Sequence, residues 1–169
     1  AVIHLSPYAG GEPEVRVDNE AGIAAMVAAL VELGHRRIAF LAGPSGLFVA
    51  RERLAGYRRG LAAAGIRYDP RLVVRTAFDL AGGALAVDVL RSAGLVRAAE
   101  TDATAICCAN DLLALGALQR LAKVGIDVPG TVCSSSAPAS ASSASARRPC
   151  RPSRRRPSSG GRRAIAGPA

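Results

Sequence analysis

Along most of this chain the apolar positions switch between two periods, one suited to amphipathic helices and one to buried strands. Asn19–Leu33 carries Ile23, Met26, Val27, Leu30 and Val31 at helical spacing, and Gly34 fits the left-handed residue that ends such a helix. Ile38–Ala42 is an unbroken apolar run of strand length, the pattern of a strand covered on both faces, and Gly43-Pro44-Ser45-Gly46 breaks it. A second helix is expected over Val49–Ala64, with Leu54, Tyr57 and Leu61 on one side and Arg51, Arg58 and Arg59 largely on the other, ending at Gly65. Asp69-Pro70 reads as a turn and Leu72–Arg75 as the next strand. Leu80–Ala93 is a third helix, its first turn weakened by Gly82-Gly83. Thr104–Ala109 is another buried strand, and Asp111–Val124 a strong helix carrying Leu112, Leu115, Leu118 and Leu121 before Gly125. Val128-Pro129-Gly130 leads toward a further strand, and Val2–Leu5 and Val15–Val17 read as short strands near the start.

Strands that alternate with helices argue for an α/β, Rossmann-like parallel sheet joined by right-handed crossovers. From Cys133 the periodicity is lost. Residues 133–169 are Ser, Ala, Pro, Arg and Gly with no aromatic side chain and, apart from Ile165, almost nothing large and apolar. Such a stretch cannot bury enough surface to offset its ordering entropy, so a disordered, basic, low-complexity tail is expected. The tail also accounts for the charge. It holds eight arginines and no acid, so of the net +9 only about +1 belongs to residues 1–132. A basic chain usually points to nucleic acid, but here the folded part is near neutral. An arginine–proline tail without aromatic groups offers phosphate charge and no stacking platform.

Several classes of chemistry lack their residues. No apolar run reaches the length of a membrane span, and Ala1–Leu5 has no basic region to open a signal peptide. The four cysteines show no paired spacing, and the adjacent Cys107 and Cys108 are expected as buried strand residues. Two distant histidines make no metal cluster, and no cofactor is expected. Gly43-Pro44-Ser45-Gly46 is neither a dinucleotide fingerprint nor a phosphate loop, no serine sits in a nucleophile elbow, and Asp79 and Asp88 make no acid–base pair.

Ligands of open parallel sheets bind beyond the carboxyl ends of the strands. That rule selects the loops Gly43–Leu47, Thr76–Asp79 and Asn110-Asp111, and in them Ser45, Phe78 and Asn110. Arg53, near the start of the following helix, could reach the same opening. An arginine fork, an amide and an aromatic face together suit a small polyol. Each residue also has a plainer reading: Ser45 as a turn residue, Phe78 as core, Arg53 as a solvated helix arginine, and Asn110 or Asp111 as a helix cap.

Further residues carry a family resemblance. Val17-Asp18-Asn19-Glu20-Ala21-Gly22, then Gly34-His35-Arg36-Arg37-Ile38 and the strand to Pro44, resemble the effector-binding core of the lactose-repressor (LacI/GalR) family of bacterial transcription regulators. The likeness runs from about Val15 to Val132. Arg51-Glu52-Arg53-Leu54-Ala55-Gly56-Tyr57 is similar to the family's R-x-x-G-[FYW] helix, with Arg53 as its arginine, and Ala105–Asp111 to its A-[IL]-x-x-x-N-D segment. The resemblance implies a periplasmic-binding-protein-like class I fold. It implies effector contacts from Arg53, Phe78 and Asn110, with Asp18 and Asn19 near the cleft mouth, while His35 in its G-H-[RK]-x-I turn is structural.

On this reading residues 1–34 end the N-terminal effector subdomain, 35–132 are most of the C-terminal one, and 133–169 are the tail. The fold is then incomplete, and the helix-turn-helix headpiece that would contact operator DNA is not in this sequence. The tail also reads as out-of-frame translation: with TCG codons at Ser134–Ser136, a shifted frame restores the Val-Val-Gly that the family carries there. The implied function is effector sensing, of a sugar or small metabolite, in a cytoplasmic, homodimeric transcription regulator. A sugar-binding protein of a transport system and a Rossmann-like enzyme are the alternatives.

Overall fold

The computed structural model describes residues 17–96 and 102–128, together with the backbone of 133–136. Four parallel strands form one sheet: β1 (Ile38–Ala42), β2 (Val73–Arg75), β3 (Ala105–Cys108) and β4 (Cys133–Ser136), in the order β2-β1-β3-β4. The register aligns Phe40 with Val73 on one side and with Cys107 on the other, and Cys107 in turn with Ser135. Among the described residues four helices surround the sheet: α1 (Asn19–Glu32), α2 (Phe48–Ala63), α3 (Leu80–Ser92) and α4 (Asp111–Lys123). A single 3-10 turn, Pro70–Leu72, precedes β2.

The helices work in pairs, α1 against α2 and α3 against α4. With right-handed crossovers this strand order sends α2 to one face of the sheet and α3 and α4 to the other. Cover on both faces explains why every residue of β1 and β3 is buried and why those segments read as continuous apolar runs. Phe40 lies at the centre, stacked on Tyr57 of α2 with ring centroids 4.8 Å apart, and the Tyr57 hydroxyl donates to the Ile38 carbonyl at 2.7 Å. Both cysteines of β3 are buried and outside any disulfide among the described residues, and burial holds Cys107 well above its ordinary pKa, so it behaves as a small apolar group.

Glycines set the helix spacing. A Cβ on Gly83 of α3 would overlap the Leu113 carbonyl of α4, and one on Gly116 of α4 would overlap the Leu80 carbonyl. The Gly82-Gly83 pair that weakens the first turn of α3 thus serves its close approach to α4. Gly56 does the same for α2, where a side chain would strike the carbonyl of Glu20.

Three expectations need correcting. Gly34 does not close a separate unit, because Ile23, Met26, Val27 and Leu30 of α1 lie in the same core cluster as β1 and β3. The sheet does not end at Val132, because Cys133–Ser136 pairs along β3. The expectation of disorder therefore fails for those four residues, where backbone hydrogen bonding to a neighbour sets the strand without an apolar pattern. On α4 the buried face is Leu113, Ala114, Ala117 and Leu121, while Leu112, Leu115 and Leu118 stand 47, 48 and 37% exposed. The other helix and strand ends fall within a residue or so of expectation. Residues 1–16 and 137–169, with the first expected strand and most of the tail, lie outside the described residues; Val17 is described and is not in a strand.

His35 is buried at the turn into β1, with Nδ1 2.9 Å from the Thr104 hydroxyl. Burial lowers its pKa from the ordinary 6.5. The unfolded chain then binds a proton more readily than the folded one, so stability is full above about 6.5 and falls as acidification passes from that value toward the folded pKa. Urea midpoints measured across this range should decline toward acid, and His35→Gln should flatten the decline. An unaltered slope in that variant would clear His35 of the effect.

Candidate functional site

Because β2 and β3 lie on opposite sides of β1, the chain leaves β1 and β3 in opposite directions. The crevice beyond their carboxyl ends is the topological switch point, where open α/β sheets take ligands. The loop after β1 and the loop after β3 flank it.

Arg53 spans this crevice. It projects from the second turn of α2, with Nε donating to Asn19 Oδ1 at 2.9 Å and Nη1 donating to the Ala109 carbonyl just past β3. Only two of its nitrogens are engaged among the described residues, and a guanidinium carries five N–H donors. Burial pushes the Arg53 pKa down, while the charges of Asp111 and Glu52 push it up. The group is a half-buried fixed cation with donors to spare.

Asn110 is the N-cap of α4. Its Oδ1 accepts from the Leu113 amide at 2.9 Å, so the cap is Asn110 and not Asp111. Capping uses the oxygen alone. The Nδ2 group makes no described hydrogen bond, so the cap occupies one end of the side chain and leaves the other able to donate.

Phe78 lies between core and opening. It is half-buried, packs on the core, and covers Gly43 at the end of β1 so closely that a Cβ there would overlap the ring. Gly43 is therefore the seat of this aromatic face.

The other candidates divide. Asn19 joins the cluster, with Nδ2 donating to Glu52 Oε2 at 2.8 Å and to the Val17 carbonyl at 3.2 Å. Asp18 caps α1 by accepting from the Ala21 amide at 2.8 Å. Ser45 is exposed, and only its carbonyl is used, with that of Gly46, by Arg51. The structure thus gathers Arg53, Asn19 and the start of α4 at the switch point, sets Phe78 over the end of β1, and gives Asp18 and Ser45 local backbone roles.

Two participants escaped the sequence reading. The Ala109 carbonyl is a backbone group, invisible in composition. Glu52 lies inside the Arg51–Tyr57 motif segment but has no role there, and it enters because the start of α1 docks on α2 at Gly56. Among the described residues no group of three or more His, Cys, Asp or Glu could hold a metal ion, and no helix is long and apolar enough to cross a membrane.

Known proteins share this fold. The profile of the family described as a periplasmic binding protein-like domain matches residues 27–136. The HTH-type transcriptional regulator CelR of Thermobifida fusca is 42% identical over 118 residues, which are 70% of this chain and 33% of CelR. A crystal structure of a LacI family transcriptional regulator from Mycobacterium smegmatis superposes with a TM-score of 0.71 at 31% identity, covering 78% of this chain and 47% of that one. A CelR–cellobiose complex gives 0.67 at 35% identity, covering 78% and 40%. The chain spans about a third of the length of the curated relatives it matches. It belongs to the periplasmic binding protein-like domain family, within its LacI/GalR group.

Proposed function

We propose that this chain is effector-sensing machinery of a LacI-type transcription regulator, with a sugar or related small metabolite bound at the crevice beyond β1 and β3. The observation that carries the reading is Arg53, held across the switch point by Asn19 and the Ala109 carbonyl with donors left over. Phe78 adds an apolar face for a sugar ring and Asn110 an amide donor. The cellobiose in the CelR complex supports a sugar for this chain too.

In the whole regulator, effector binding shifts the population between conformations that differ in operator affinity. Operator contact falls to a helix-turn-helix headpiece, and the protein works in the cytoplasm as a homodimer rather than as an enzyme. Leu112, Leu115 and Leu118, exposed along the outer face of α4, supply an apolar surface for that dimer. Relatives that are transcription regulators support this over a transport protein or a Rossmann-like enzyme.

The test is a titration with a panel of mono- and disaccharides that includes cellobiose, followed by NMR, which reads weak binding as well as tight. At least one sugar should shift the signals of Arg53, Phe78 and Asn110 together. Shifts confined to other faces, or none from any sugar, would end the proposal.

Asn110 separates two effects in the same assay. Asn110→Asp keeps an oxygen for the Leu113 amide and should preserve stability, yet it removes the amine and should weaken sugar binding. Asn110→Ala loses the cap as well and should cost about 0.5–2 kcal/mol of unfolding free energy. Equal sugar affinity in the Asp variant and the parent would leave Asn110 as a cap alone.

A further inference from the structure

The Asn19 amide has a defined orientation because of what lies on each side of it. Glu52 is a carboxylate and can only accept, so it takes the amine, Nδ2, at 2.8 Å. The amide oxygen is thereby turned to Arg53, where it accepts from Nε at 2.9 Å. Reversal of the amide would set oxygen against carboxylate and amine against guanidinium, two contacts between like partners. The Asn19 backbone is held as well, its N–H donating to the Val17 carbonyl at 2.9 Å. With Nε held by Asn19 and Nη1 by the Ala109 carbonyl, the guanidinium plane has two anchors on different nitrogens.

We propose that Glu52 is a positioning residue for Arg53, acting through the Asn19 amide to fix the plane in which Arg53 offers its remaining donors. Glu52 touches no ligand in this scheme. Together with the Val17 carbonyl, which accepts from the same Nδ2 at the longer distance of 3.2 Å, it disfavours the reversed amide and with it a loosened Arg53. For ligand affinity the proposal rests on the effector reading above; for the position of Arg53 it stands alone. The alternative is a carboxylate whose only role is solvation of the surface of α2.

Two readouts on the full chain test it. One is solvent exchange of the Arg53 Nε–Hε proton, its resonance assigned by its loss in Arg53→Ala. The other is cellobiose affinity by NMR. Glu52→Leu should speed the exchange by about tenfold, the scale of one net hydrogen bond, and should weaken cellobiose binding in step. Glu52→Ala provides a second variant should leucine perturb folding. Glu52→Gln, whose carbonyl oxygen can still accept from Asn19, should stay near the parent in both readouts. Asn19→Ala should match Glu52→Leu, and adding Glu52→Leu to Asn19→Ala should change nothing more. Unchanged exchange in Glu52→Leu, or effects of the two substitutions that add, would overturn the proposal. If Arg53→Ala leaves cellobiose binding intact while the exchange pattern holds, the effector reading fails and the positioning role stands.

Discussion

Replacing Phe40 with alanine should lower the free energy of unfolding by about 3–5 kcal/mol. Phe40 is fully buried in the middle of β1, hydrogen-bonded neighbours flank it on both sides, and its ring stacks on Tyr57. The cavity would open between the sheet and α2, where the backbone of β1 is held by two strands and cannot collapse to fill it. A loss of that size is a large share of the about 5–15 kcal/mol that holds a domain of ordinary size. Urea titration should show a lower midpoint with the slope retained. Tyr57→Phe is the graded comparison. It keeps the ring contact and removes only the hydroxyl bond to Ile38, leaving that carbonyl without its side-chain partner, for about 1–3 kcal/mol. A Phe40→Ala cost no greater than that of Tyr57→Phe would mean that the centre of the core has been misplaced.

Arg53→Ala should weaken sugar binding by about 1–3 kcal/mol, or roughly 5- to 150-fold, because a polar group of the ligand is left unpaired in the crevice. Folding should also suffer, since the Ala109 carbonyl and the Asn19 oxygen both lose a donor. Arg53→Lys separates charge from shape. Lysine keeps the cation but has one nitrogen and no fork, so it cannot serve Asn19, Ala109 and a ligand in fixed directions at once. Lysine should therefore recover part of the stability and little of the affinity. Full affinity in the lysine variant would show that the site needs a positive charge and not a directed donor set.

How far the sequence could be read depends on which physical force sets each feature. The bounds of β1 were legible at both ends because a strand covered on two faces must be apolar throughout and a Gly-Pro pair stops it. Helix ends were legible from their glycines. The partner of α1 was not, since an amphipathic stripe records that a helix buries one face and says nothing about which core receives it. The outer leucines of α4 read as support for a helix because their spacing is helical, while its true buried face uses Ala114 and Ala117, residues that carry little apolar signal. In β4 a backbone ladder alone makes the strand, and Cys-Ser-Ser-Ser has no pattern to announce it. At the site, the carboxyl-end rule and the family resemblance pointed to Arg53, Asn110 and Phe78. They could not reveal that Asn110 gives its oxygen to the cap of α4, or that Asn19 is spent on Arg53.

The glycine contacts between helices also bear on how this unit can move. Layers that slide in shear do so across side chains, which give way through small rotamer adjustments. Where Gly56, Gly83 and Gly116 meet a carbonyl with no room for a Cβ, that compliance is missing. The α1–α2 and α3–α4 pairs are braced against slip, and the sheet between them is held by its own ladder. Torque applied at the crevice is thus carried through the unit as through a solid lever.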